Sequence, residues 1–166
     1  MLERGREMVS FSYEHLVPIR HYVHQHPELS GQEYKTTAYL KAYLEKLGVR
    51  ILNSGLKTGL IAEIGSGKPV IALRADIDAL PIQENTGLDY QSQNPGVMHA
   101  CGHDFHQVSL LGAAEVLKGM ETDLKGTVRL IFQPAEETSE GASAVLATGL
   151  LENVQAILGF HNMPSL

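Results

Sequence analysis

The stretch Val70-Ile71-Ala72-Leu73-Arg74-Ala75-Asp76-Ile77-Asp78-Ala79-Leu80-Pro81 decides the fold. Its first half is an apolar run of strand length. A run apolar on both faces belongs inside a sheet that is covered on both sides, and this one is placed centrally. It ends in two acids at i, i+2. Open α/β sheets build their sites at strand ends, so Asp76 and Asp78 mark a candidate site as well as a strand. The ordinary alternative for such a pair is a solvated loop with a helix-capping Asp.

The neighbouring sequence repeats the pattern outward from this strand. Residues 49–52 and 58–64 read as strands on its N-terminal side, with Gly65-Ser66-Gly67 as a turn. On the C-terminal side, residues 127–133 and 155–160 read as two more. Between them lie helical periodicities. The first covers 10–26, with Phe11, Leu16, Val17, Ile19, Tyr22 and Val23 near one face. Pro18 inside it marks a kink or a late start. Ser30-Gly31-Gln32-Glu33 fits a capping box that opens a second helix, which runs to Leu47 and stops at Gly48. Residues 108–117 and 139–150 supply two more. Strands alternating with helices give an α/β sheet with helices on both faces. His21, His24 and His26 crowd the end of the first helix. They are read as a solvated helix end, where partly charged imidazole suits the negative pole, in preference to a metal pair at i, i+3.

Composition narrows the function. The 166 residues suffice for one domain with a core. Thirteen Lys+Arg against 19 Asp+Glu leave a formal charge of −6, which argues against nucleic acid as a partner. A single cysteine makes no internal disulfide. The first residues lack the apolar core of a signal peptide, and no apolar run has the length of a membrane span. A cytoplasmic protein with no membrane partner is the expectation.

That one cysteine lies in Met98-His99-Ala100-Cys101-Gly102-His103-Asp104-Phe105-His106. In an extended segment, side chains two apart share a side, so Cys101 and His103 reach one ion together. Thiolate and neutral imidazole suit zinc or a similar borderline metal. Asp104 and His106 are placed to orient those ligands. A buried structural cysteine is the plain alternative. Further candidates follow later strands: Glu136 and Glu137 after Pro134, and His161 after the last strand. Cys, His, Glu and His make a plausible ligand set with one carboxylate to spare. Adjacent glutamates in an extended stretch face different ways. One can therefore bind metal while the other takes the proton of a water whose pKa the ion lowers.

Five segments carry a resemblance. They are His26-Pro27-Glu28-Leu29-Ser30, Arg74 to Pro81, Met98 to Asp104, Gln133-Pro134-Ala135-Glu136-Glu137 and Gly159-Phe160-His161. In this order they resemble the metal-dependent amidohydrolases of the aminoacylase-like zinc exopeptidases, which include hippurate hydrolases, auxin-conjugate hydrolases and N-acetyldiaminopimelate deacetylases. The resemblance implies a mixed zinc-exopeptidase-like sheet flanked by helices. It implies two divalent ions (zinc, manganese, cobalt or nickel) held by Cys101, His103, Glu137 and His161, with the thiolate bridging. Glu136 becomes general base and acid, and Asp78 a catalytic support. The substrate becomes an N-acyl amino acid, cut at its amide. Family members are more than twice as long, with an inserted lid domain through which they often form homo-oligomers, and they carry a further histidine ligand. By that pattern, 1–166 is the N-terminal part of a catalytic domain, incomplete at its C-terminus and inactive alone. The rival reading is a remnant that binds metal or a partner chain without catalysis.

Overall fold

The computed structural model describes residues 2–162, with side chains over 14–162. Phe11, assigned above to an apolar helix face, lies outside the described side chains. In chain order the elements are α1 (Leu2–Gln25), α2 (Tyr34–Lys46), β1 (Arg50–Ile51), β2 (Leu60–Gly65), β3 (Val70–Asp76), α3 (His103–Gly119), a 3-10 turn (Glu121–Asp123), β4 (Thr127–Gln133), α4 (Gly141–Ala147) and β5 (Ala156–Gly159). The five strands form one mixed sheet in the order β1-β2-β4-β3-β5. β1, β2 and β4 pair antiparallel, whereas β3 runs parallel to both β4 and β5. Among the described residues no helix is long and apolar enough to cross a membrane.

Alternation along the strands sorts side chains into two cores. On one face Ala62, Ile64, Leu130 and Phe132 pack under Leu40 and Leu44 of α2 and Leu111 and Ala114 of α3, with Ile19 of α1 against this cluster. On the other face Ile61, Ala72 and Ile131 meet Val145 of α4. The central strand is β4, buried at every position, and not β3 as its composition suggested. β3 is interior, but its outer neighbour β5 is exposed along its length, which leaves β3 less covered.

Three local expectations are revised. α1 continues through Pro18 and starts earlier than its apolar pattern. α3 begins at His103, ahead of its expected start at 108, so the end of the motif, His103 to His106, is helix. The capping box does not form. α2 starts one residue after Glu33 with no side-chain cap from its own segment. Its first amides are held by Glu28 instead, which accepts from Lys35 N at 3.2 Å and Thr36 N at 2.8 Å. That exchange frees Ser30 and Glu33 for contacts elsewhere.

Candidate metal centre

The parallel strands β3, β4 and β5 open their C-terminal ends on one edge, where such sheets form sites. β3 delivers Asp76 and then Asp78. The Asp78 loop is fixed by isolated bridges of Ala79 with Leu29 and of Leu80 with Met98. β4 leads through Pro134 to Glu136 and Glu137, β5 leads to His161, and α3 enters with His103.

Cys101 and His103 do not share an extended segment. Gly102 sits at φ 89 and turns the chain, so that His103 opens α3. Glycine takes that left-handed conformation at little cost. The two side chains converge all the same. Ligand atoms of Cys101, His103 and Glu137 lie within 4.8 Å of one another. A second group, Asp76, His103, His106 and His161, meets the same limit. Cys101 Sγ lies 3.4 Å from His161 Nε2, which joins the two groups.

His103 is fully buried, and its orientation is fixed from behind. Its Nδ1 donates to the Asp78 carbonyl at 2.9 Å and lies 3.2 Å from Asp78 Oδ1. A carbonyl only accepts, so Nδ1 carries a proton, and in the neutral ring the Nε2 lone pair faces the site. Nε2 looks onto Asp76 Oδ2 at 3.6 Å, Glu136 Oε2 at 3.7 Å and Glu137 Oε1 at 3.7 Å. Burial lowers the His103 pKa, but the carboxylates of Asp78, Asp76 and Glu137 raise it further, with a net upward shift.

Asp78 is the hinge of this arrangement. Its Oδ2 accepts from Ser30 Oγ at 2.6 Å and from Glu137 N at 2.9 Å. Burial favours the neutral acid, but the hydrogen bonds from His103, Ser30 and Glu137 outweigh it and hold the carboxyl at about 2. Asp78 therefore positions one ligand candidate through its ring and another through its backbone. Asp76, besides facing His103, is tied from behind: Oδ1 faces His106 Nδ1 at 2.6 Å, and Oδ2 accepts from Arg74 at 2.8 Å.

The turn that carries the glutamates is backbone-strained. Ala135 sits at φ 48 and Ser139 at φ 61, conformations costly for residues with a Cβ. Glu33, wholly buried, holds it by accepting from Ala135 N at 2.8 Å. A Cβ on Gly141 would lie 1.6 Å from the Pro134 carbonyl oxygen, so only glycine lets α4 close against this turn.

The residues present fit a divalent metal. His103 Nε2 and Glu137 Oε1 are buried and have no hydrogen-bond partner among the described residues, and such atoms are rare. Burial, followed by Glu137 and Glu136, pushes the Cys101 thiol up to about 11. Without a cation beside it this thiol stays protonated at neutral pH; a divalent ion would draw off its proton and make it a ligand.

Two sequence assignments change at the back of the site. Asp104 does not orient a ligand side chain. It turns toward α1 and accepts from Arg20 at 2.8 Å. His24 is no solvated helix end: it is 4% exposed, with Nδ1 at 2.9 Å from Asp104 and Nε2 at 3.2 Å from Glu84. Sequence reasoning gave Ser30 and Glu33 only a helix-capping role, and Arg20 none. For Ser30 a signal existed, since it closes the His26 to Ser30 segment.

A model of peptidase family M20/M25/M40 matches residues 72–166. The chain belongs to peptidase family M20/M25/M40. An M20 chain of this kind is 53% identical, over 91% of its length, to an N-acetyl-L-cysteine deacetylase of Bacillus subtilis. It is 49% identical, over 90%, to the IAA-amino acid hydrolase ILR1-like 5 of Arabidopsis thaliana. It spans 37% and 34% of the length of those relatives. The crystal structure of a dinuclear metal binding peptidase of the M20 family from Bacillus subtilis superposes on it with a TM-score of 0.91 at 52% identity, covering 95% of this chain and 45% of that one. The mixed sheet flanked by helices is thus an M20 peptidase fold.

Proposed function

We propose that this chain carries most of the active site of a metal-dependent amidohydrolase that cleaves the amide bond of N-acyl amino acids. The observation behind the reading is His103 Nε2: a buried ring nitrogen, fixed through Nδ1 by Asp78 and left without a hydrogen-bond partner, facing Cys101 and a glutamate pair. One relative is a deacetylase of an N-acetylated amino acid and another a hydrolase of an IAA-amino acid, and N-acyl amino acid hydrolysis covers both. In this reading residues 1–166 are the N-terminal part of the catalytic domain, and the remaining length of its relatives carries the rest. Homo-oligomers through a lid domain belong to the same reading. So does a cytoplasmic setting, because Cys101 must remain reduced to serve as a ligand.

Cys101, His103, Glu137 and His161 would hold two divalent ions, for which zinc, manganese, cobalt and nickel all suit these donors. Bound there, the ions supply a Lewis acid and lower the pKa of water. The protein's own groups do the rest. Asp78 holds His103 and the Glu137 backbone in register. Glu136, the more exposed of the two glutamates, accepts a proton on its carboxylate as water oxygen attacks the amide carbon. As the carbon–nitrogen bond breaks, Glu136 returns that proton to the leaving nitrogen, giving a carboxylate and a free amino acid. Its strained, Glu33-braced turn keeps that carboxylate in place.

The test uses a chimera in which these residues replace the matching ones of the Bacillus subtilis N-acetyl-L-cysteine deacetylase. Glu136→Gln should lower deacylation of N-acetyl amino acids by roughly 10²–10⁴-fold with metal content unchanged. Glu137→Gln should lose metal as well. Near-normal turnover in Glu136→Gln would remove the base assignment. A metal-loaded chimera that deacylates nothing would favour a binding remnant.

A further inference from the structure

The candidate ligand His161 stands apart from the others, because it lies beyond the end of β5 and is exposed. The residue after it is anchored through its backbone amide. Asn162 N donates to His106 Nε2 at 2.9 Å. A backbone N–H can only donate, so Nε2 must be the bare nitrogen. The ring proton then sits on Nδ1, where it meets Asp76 Oδ1 at 2.6 Å. Asp76 in turn is held by Arg74. The His106 ring is wholly buried and packs edge-on to Phe160 at 5.2 Å and His161 at 4.8 Å. Asn162 also lies against Gly102, since a Cβ there would come within 3.2 Å of its side chain. The end of β3, the first turn of α3 and the segment after β5 are thus linked through one imidazole.

We infer that His106 is a positioning residue: it acts through the Asn162 amide to hold His161 against Cys101. This rests on the proposed reading of Cys101 and His161 as metal ligands. Two substitutions separate the two sides of the ring. His106→Asn keeps an N–H toward Asp76 and has no acceptor where Nε2 was. His106→Gln places a carbonyl oxygen near Nε2 and gives up the donor to Asp76.

The experiment titrates the purified chain with cobalt(II), followed by absorption, alongside exchange of the Asn162 amide by NMR without metal. His106→Asn should speed Asn162 exchange and weaken cobalt binding by roughly 10–100-fold, the usual effect of losing an outer partner. His106→Gln should retain most of both. In a His161→Ala background, His106→Asn should add no further loss; a merely structural role would add its full loss there. Loss in His106→Gln with retention in His106→Asn would overturn the inference, as would additive losses in the double variant. If the unaltered chain binds no cobalt, the metal reading fails by itself. The exchange data still decide the contact: unchanged Asn162 exchange in His106→Asn overturns it, and faster exchange there but not in His106→Gln supports it.

Discussion

The two halves of the site are built differently. Cys101, His103, Glu137 and Asp78 hang on β3, β4 and the start of α3, where His103 and Asp78 are almost wholly buried and each is fixed by named hydrogen bonds. His161 hangs on β5, a strand exposed at all four positions, with Ile157 at 50% and Leu158 at 61% exposure. One half is preorganised by the core; the other depends on a few contacts from His106 and Gly102. A site made this way loses its geometry first on the β5 side, because rigid support decides how well ligands keep their places.

The largest expected effect breaks this contrast at the proposed ligands. His103→Ala should weaken divalent-ion binding by more than the roughly 10–100-fold typical of an outer partner. His161→Ala should cost less, since its ordering in the metal-bound state already has an entropic cost. Calorimetric titration with zinc or cobalt measures both, and equal losses would remove the contrast. Cys101→Ser should fall on the His103 side.

The sheet itself offers the next test. Leu73 has Leu130 as its partner on one side and Leu158 on the other. Leu130 is fully buried and Leu158 mostly exposed. Leu130→Ala should cost about 2–5 kcal/mol in urea unfolding. Leu158→Ala should stay within about 0.5 kcal/mol. A comparable cost at both would mean that β5 is covered in solution.

The buried half was the more legible in sequence. Apolar runs predicted β3 and β4 closely, and the acids, cysteine and histidines that follow the strands do meet at one edge. Several of the missing parts share a cause: polar residues whose local pattern was overridden by a distant partner. Ser30 and Glu33 satisfy a capping box in sequence, yet Asp78 takes the serine and Ala135 N takes the glutamate. His24 reads as a helix-end residue until Asp104 and Glu84 arrive from 80 and 60 residues away. The start of α3 was hidden because Gly102 turns the chain within the motif. β5 reads as a strand like the others, because periodicity carries no information about what lies beyond its free edge.

A third prediction sharpens the buried half. Asp78→Asn removes a carboxylate held at about 2, against an ordinary value near 3.8. A folded value below the unfolded one stabilises the protein above the unfolded pKa, and that contribution is lost as pH falls through the folded value. In metal-free protein the carboxylate should contribute about 2 kcal/mol at neutral pH, fading between about pH 4 and pH 2. Urea midpoints for both proteins should therefore differ at pH 6 and converge toward pH 2. A constant difference across that range would remove the charge argument and leave a packing effect.

The smallest expected effect concerns the brace behind His103. His24 sits between Asp104 and Glu84, and Arg20 also donates to Asp104. The hydrogen bond to Asp104 raises its pKa most; burial opposes this, and Glu84 adds to the rise. A folded value above the unfolded one means that the contribution is complete below the unfolded pKa, near 6.5, and is lost as pH rises through the folded value. The chemistry matches, since a neutral imidazole has one N–H for two carboxylates. Metal-free wild-type protein should therefore lose stability as pH is raised above 6.5, and His24→Asn should lose less over the same range. Urea midpoints at pH 6 and pH 9 for both proteins test this, with chelator present throughout. A drop of equal size in the variant would place the pH dependence elsewhere and reduce His24 to packing. Asp104 makes no side-chain contact with His103 but directly follows it at the start of α3, so the brace reaches the proposed ligand through the backbone alone: His24→Asn should weaken cobalt binding at pH 7 by less than His106→Asn does.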